Sequence, residues 1–131
     1  MWHWKKPYFL LIGYSSGADV LPFMAARLPQ SFLDRMKLLA LLGPSPSTDL
    51  EIHFTDFVSS RNRPASRPLV PELEKLAGHK VYCFYGSDDT GVLCPGLNPK
   101  LGKAIMLPGG HHFGGDYEKL AQMIMDLAEK D

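Results

Sequence analysis

The stretch Gly13-Tyr14-Ser15-Ser16-Gly17 constrains this chain more than any other. An apolar run, Tyr8-Phe9-Leu10-Leu11-Ile12, leads into it, and Ala18-Asp19-Val20-Leu21 follows with a helical pattern. A Gly-x-Ser-x-Gly pentapeptide between strand and helix describes a nucleophile elbow. The turn is so tight that the central residue is strained, and only glycine is expected to leave room for the backbone at the two flanking positions. Ser15 is then predicted to stand exposed at the edge of a sheet. The same loop type occurs in α/β proteins that catalyse nothing, so the rest of the chain has to decide.

Fourteen basic residues balance fourteen acidic ones in a chain of 131 residues, 45% of them hydrophobic, which reads as a single globular domain over 1–131. The one local basic excess, Arg61, Arg63 and Arg67, lies among prolines and serines without interleaved aromatics. It reads as a solvated loop and argues against a nucleic-acid partner. The start, Met1-Trp2-His3-Trp4-Lys5-Lys6-Pro7, lacks the apolar core of a signal peptide, and no run approaches the roughly eighteen apolar residues of a membrane span. Cys83 and Cys94 are too few for a disulfide scaffold and lack metal-ligand spacing with a histidine pair. One bridge and two thiols are both open at this point.

A first strand is predicted over 8–12 and a helix over 17–28, whose apolar positions Val20, Leu21, Met24, Ala25 and Leu28 recur at helical spacing. Asp19 sits in the helix's first turn, where a negative charge suits the dipole, and Pro22 is expected to bend it. The run Leu38-Leu39-Ala40-Leu41-Leu42, closed by Gly43-Pro44, reads as a strand buried on both faces. From 45 to 70 no period lasts and prolines are dense, so an irregular excursion or lid is predicted there, extended over 50–54. A short helix follows over 71–77, started by Pro71 and closed by Gly78. Strands are predicted over 80–85 and 103–107. A final amphipathic helix is capped by Asp116, with Tyr117, Leu120, Ala121, Ile124, Leu127 and Ala128 as its stripe. Strands alternating with helices imply a parallel sheet of about four strands in a three-layer α/β sandwich.

A serine hydroxyl needs a base within hydrogen-bond reach, and the base needs a carboxylate to fix its tautomer. In α/β hydrolases these partners follow the serine in the order acid, then histidine, each on a loop past a strand's carboxyl end. Here the third predicted strand runs into Gly86-Ser87-Asp88-Asp89 and the fourth into Pro108-Gly109-Gly110-His111-His112-Phe113. The spacing favours Asp89, three residues after Gly86, as the acid, with Asp88 the alternative. His111, directly after the glycine pair and in a His-x-Phe context, is favoured as the base, with His112 as a neighbour and substrate contact. The backbone N–H of Ser16 is the first oxyanion-hole donor. The second normally comes from a loop after an earlier strand, and none precedes the elbow here. Neither a metal nor a cofactor is called for, because no third ligand completes the histidine pair.

These segments resemble a known family. Leu11 to Phe23, Tyr85 to Asp89, Cys94-Pro95 and Pro108 to Tyr117 are similar to the bacterial virulence proteins VirJ and AcvB, over nearly the whole chain. The resemblance implies an α/β-hydrolase fold, export to the periplasm, and hydrolysis of aminoacylated phosphatidylglycerol linked to type IV secretion. It implies Ser15 as nucleophile, His111 as base and Asp89 as acid. It also brings a small-molecule or lipid ester as substrate, with peripheral contact to membrane lipid. Where the family often carries a further carboxylate this chain has Gly91, and the residue after the nucleophile, usually bulkier, is Ser16. Family members place several strands before the elbow, so the resemblance predicts a partial fold whose elbow strand is an exposed edge open to a protein partner or to self-association. An oxidising compartment would permit a Cys83–Cys94 disulfide tying the third strand to the acid-bearing loop. Two readings result: a serine esterase, or a non-catalytic hydrolase module that binds a partner.

Overall fold

Short apolar runs become the strands of one parallel sheet. The structure, a computed structural model, describes residues 8–48 and 67–130. The segment 1–7, the extended stretch predicted over 50–54 and the Arg61 and Arg63 pair lie outside the described residues. In chain order the elements are β1 (Phe9–Tyr14), α1 (Ser16–Ala25), α2 (Gln30–Leu33), β2 (Met36–Leu42), β3 (Ser47–Thr48), β4 (Arg67–Pro68), α3 (Val70–Lys75), β5 (Val81–Gly86), β6 (Lys103–Leu107) and α4 (Tyr117–Glu129). Two single 3-10 turns, Cys94–Gly96 and Phe113–Gly115, flank β6. No described helix is long and apolar enough to cross a membrane.

The main sheet has the order β1-β2-β5-β6, and each of its pairings is parallel. In β2 the side chains alternate between two cores. Leu39 and Leu41 join Ala18, Phe23, Leu73 and Leu76 on one face, and Leu38, Ala40 and Leu42 join Phe84, Leu120, Ile124 and Ala128 on the other. With α1 and α3 over one face and α4 over the other, the architecture is the three-layer α/β sandwich expected from the sequence. β1 forms one edge among the described strands, and Ile12 on it is 51% exposed.

Several element boundaries differ from the expectation. β1 runs on through Gly13 to Tyr14, since its ladder with β2 continues to the Tyr14–Leu42 pair. Helix α1 passes through Pro22 and stops at Ala25, short of Leu28. Arg27 and Leu28 fold back onto the carbonyls of Met24 and Ala25, a tightened last turn ahead of Pro29, before which helical backbone is disfavoured. The short α2 has no counterpart among the predicted elements. β3 and β4 pair antiparallel, so the described ends of the 45–70 excursion are joined as a two-stranded sheet. In α4, Asp116 caps by accepting the Lys119 N–H. Leu120, Ile124 and Ala128 are buried as expected, whereas Tyr117 is 52% exposed and Ala121 is exposed too. The stripe centres one step further round the helix, on Leu120 and Ile124.

One buried charge ties α3 to the turn that follows α1. Glu72 on α3 accepts from Arg27 at 2.7 Å and from Lys75 at 3.3 Å. Burial pushes its carboxyl pKa up, and the hydrogen bonds and charges of Arg27 and Lys75 more than offset that, leaving it below the ordinary value. A depressed acid stabilises the fold above the unfolded-state pKa, and this contribution is lost as pH falls through the folded one. Thermal melts should therefore drop on acidification below about pH 5, near the ordinary range of glutamate. In Glu72→Gln, which loses about 1.5–3 kcal/mol of charge-assisted hydrogen bonding, that part of the pH dependence should flatten.

Candidate active site

The register brings four strand ends level: Tyr14 lies beside Leu42, Leu42 beside Phe84, and Gly86 beside Leu107. The residues that follow each strand therefore meet at one rim of the sheet, the carboxyl end where open α/β sheets place their sites. Ser15 N–H bonds the Leu42 carbonyl at 2.8 Å, Gly43 N–H the Phe84 carbonyl at 2.8 Å, and Ser87 N–H the Leu107 carbonyl at 2.7 Å.

Ser15 sits at φ 55°, ψ −117°, the strained turn that the elbow pattern requires. The two flanking glycines are not equivalent, which corrects the expectation of crowding at both. A Cβ on Gly13 would lie 2.7 Å from the Gly17 carbonyl oxygen, so that position admits only glycine. A Cβ on Gly17 would meet nothing within 4 Å, because this residue lies exposed on the outer side of the first turn of α1.

The acid loop and the histidine loop close onto one another. Asp88 N–H donates to the Gly109 carbonyl at 2.8 Å and Asp89 N–H to that of Gly86 at 3.0 Å. A Cβ on Gly86 would overlap the carbonyl oxygens of Gly109 and Gly110, so a side chain there would push the two loops apart. Phe113, buried at φ 54°, anchors the histidine loop in the core below.

This arrangement brings Ser15, His111 and Asp89 together. His111 Nδ1 lies 2.9 Å from Asp89 Oδ2, and His111 Nε2 lies 2.9 Å from Ser15 Oγ. An ionised carboxylate only accepts, so Nδ1 carries the proton and Nε2 is left to accept from the serine hydroxyl. The side chain of Asp89 is 12% exposed and that of His111 is 37% exposed. Asp88 is exposed at the loop surface. His112 stands beside the relay, its Nδ1 2.8 Å from the Tyr14 hydroxyl. Ser16 is the first residue of α1, where a backbone N–H has no partner within the helix. No strand precedes β1 among the described residues, so a second oxyanion donor from an earlier loop has no counterpart there.

Sequence reasoning passes over three residues at this site. Gly43, at φ +69°, lies against the imidazole, where an added Cβ would come within 2.7 Å of His111 Cε1. Asp19 accepts the Ser45 N–H at 2.6 Å and so holds the loop that carries Gly43. Burial raises the Asp19 pKa above its ordinary value, opposed by the Ser45 hydrogen bonds and by the charge of His111. The third is Tyr14. In the sequence the Gly43-Pro44 pair marks only the end of a strand and Asp19 only a dipole partner, since contacts between distant loops leave no periodic signal. Among the described residues no three His, Cys, Asp or Glu side chains group as metal ligands.

Cys83 on β5 and Cys94 form a disulfide, with Cα atoms 5.4 Å apart and both residues fully buried. The bridge closes the segment that carries Asp89, and Leu93 N–H adds a bond to the Pro44 carbonyl at 2.8 Å. Closing a loop of about this size restricts the unfolded chain by roughly 3 kcal/mol. Replacing both cysteines with alanine is therefore expected to lower stability by about 2–4 kcal/mol in denaturant melts.

A parallel sheet covered by helices on both faces, with a serine elbow and with acid and histidine loops at the strand ends, defines an α/β-hydrolase-like protein. The chain belongs to the bacterial virulence protein (VirJ) family, whose sequence pattern matches residues 1–131. Among solved structures it is similar to human thioesterase 2, at 16% identity and a TM-score of 0.55, over 95% of this chain and 74% of that one. It is also similar to a thioesterase domain from the curacin biosynthetic pathway, at 15% identity and a TM-score of 0.57, over 90% of this chain and 66% of that one. At these identities the likeness is one of fold. No curated protein sequence matches the chain.

Proposed function

We propose that the chain is a serine hydrolase that cleaves a carboxylic ester. The observation that carries this reading is the continuous relay from Asp89 through His111 to Ser15, with 2.9 Å at each link. In the proposed reaction Ser15 Oγ attacks the ester carbonyl while His111 Nε2 takes its proton. Asp89 holds the imidazole in the reactive tautomer and stabilises the imidazolium. The Ser16 N–H, backed by the N-terminus of α1, supports the oxyanion. His111 then protonates the departing alcohol, and a water activated by the same base releases the acyl group.

That the two structural neighbours are thioesterases supports an acyl-transfer site, with oxygen esters and thioesters both open to it. For the substrate we propose a lipid ester, aminoacylated phosphatidylglycerol in particular, reached by peripheral contact with membrane lipid and linked to secretion. The VirJ membership supports this choice. A periplasmic location is proposed with it, supported by the buried Cys83–Cys94 bridge, since disulfides persist in oxidising compartments. The direct test is a fluorophosphonate probe followed by peptide mapping. Stoichiometric labelling at Ser15 is expected, and no labelling, or labelling at another serine, would refute the reading.

A second reading has its own observation. β1 lies at the edge of the described sheet with Ile12 half-exposed, and an open apolar edge is a pairing surface. A non-catalytic module acting through a partner strand would be inert to the probe and would associate in size-exclusion chromatography.

A further inference from the structure

Tyr14, the residue between Gly13 and the strained Ser15, reaches across the rim to the histidine loop. Its hydroxyl lies 3.0 Å from the His111 carbonyl oxygen and 2.8 Å from His112 Nδ1. Its ring centroid lies 5.5 Å from that of His111 and 6.4 Å from that of Phe113. The phenol has one proton and two close neighbours. The carbonyl can only accept, so the phenol O–H donates to it, and the phenol oxygen is left to accept from His112 Nδ1–H. This assignment satisfies both contacts, whereas donation to His112 would set two acceptor oxygens against one another at the His111 carbonyl. It leaves Nε2 as the acceptor of an exposed His112 side chain.

We propose that Tyr14 is a positioning residue for His111: its hydroxyl ties the histidine loop to the elbow and holds His112 in the Nδ1–H form. The loop needs such a tie. Gly109, Gly114 and Gly115 all take positive φ, so the backbone around the base has more conformations open to it than ordinary residues allow. The Ser15–His111 contact cannot do the work throughout a turnover, because it is lost once Ser15 Oγ carries an acyl group. The Tyr14 bond goes to the His111 backbone and persists through both half-reactions. Partial burial, with the charges of Tyr117 and Asp89, holds the phenol pKa above its ordinary value, so the hydroxyl stays protonated and able to donate.

The proposal rests on the reading of Ser15 and His111 as nucleophile and base, and its test keeps the two apart. In imidazole nitrogen-15 spectra of the wild-type chain, His112 is expected in the Nδ1–H form; an Nε2–H form or a mixture overturns the proposal with no variant needed. In Tyr14→Phe, which keeps the ring, His112 is expected to become a mixture of tautomers. The rate of fluorophosphonate labelling and the kcat for p-nitrophenyl acetate should fall about 10- to 100-fold, the scale of a modest misplacement of a catalytic group. KM should change by less than about threefold on the same argument. His112→Ala keeps the bond to the His111 carbonyl and should slow labelling less than Tyr14→Phe. Rates within twofold of wild type in Tyr14→Phe, or an equal loss in both variants, would overturn the role. If the wild-type chain takes neither probe nor ester, the hydrolase reading fails, and the tautomer of His112 alone decides whether the tie exists.

Discussion

Replacing Ser15 with alanine is expected to lower kcat/KM for a p-nitrophenyl ester by roughly 10⁴- to 10⁶-fold, the range seen when a nucleophile that works as a unit with its base is removed. That is about 5–8 kcal/mol of transition-state stabilisation. The loss is so large because the other parts do not substitute for the hydroxyl. His111 still holds its proton on Nδ1 against Asp89, yet Nε2 has nothing to activate at the elbow except water. The fold should be almost unaffected, since alanine at φ 55° meets the same backbone strain as serine and, among the described residues, the hydroxyl's hydrogen bond is to the partly exposed imidazole. Kinetics and a thermal melt on the same variant separate the two effects. A Ser15→Ala chain within tenfold of wild type, with an unchanged melt, would remove Ser15 from the chemistry.

The parts of the site written locally in the sequence are the legible ones. β2 contains a run of five apolar residues, and a parallel strand buried on both faces needs little else to announce it. The loops that carry Ser15, Asp89 and His111 each follow a strand directly, so their order and strand-end placement can be read along the chain. Gly43 cannot be read that way. Its φ of +69° and its contact with the His111 ring depend on how β2 sits beside β5 and on where a loop 68 residues further on folds back. Tyr14 looks like the free position of the elbow pentapeptide, and its partners lie 97 and 98 residues away. Gly17 illustrates the opposite error. The pattern suggests crowding at both glycines, but the packing places that crowding at Gly13 alone. Tyr117 has the spacing of the apolar stripe, yet at the first position of α4 it stays exposed, and the buried side chains begin at Leu120.

Asp88 and Asp89 are chemically identical neighbours; the offset from Gly86 favours Asp89, and the three-dimensional arrangement separates the two. The Asp89 carboxylate is nearly buried and meets His111 Nδ1, while Asp88 is exposed and contributes a backbone N–H to the Gly109 carbonyl. Asparagine in place of Asp89 is nearly isosteric, but its amide group offers a donor as well as an acceptor. The imidazole can then turn its lone pair to Nδ1 and its proton to Nε2, which faces the serine with a hydrogen instead of an acceptor. A change of that kind costs about 10⁴-fold in turnover where it has been measured in a serine relay. Asp89→Asn is therefore expected to reduce kcat by about that factor with little change in the thermal melt, and Asp88→Asn to leave kcat within about threefold. The two variants differ by one position and carry the same change of charge, so net charge and loop composition cannot explain a difference between them. Equal losses in both would mean that the loop's overall charge matters rather than the Asp89–His111 bond. A larger loss in Asp88→Asn would transfer the acid's role to Asp88.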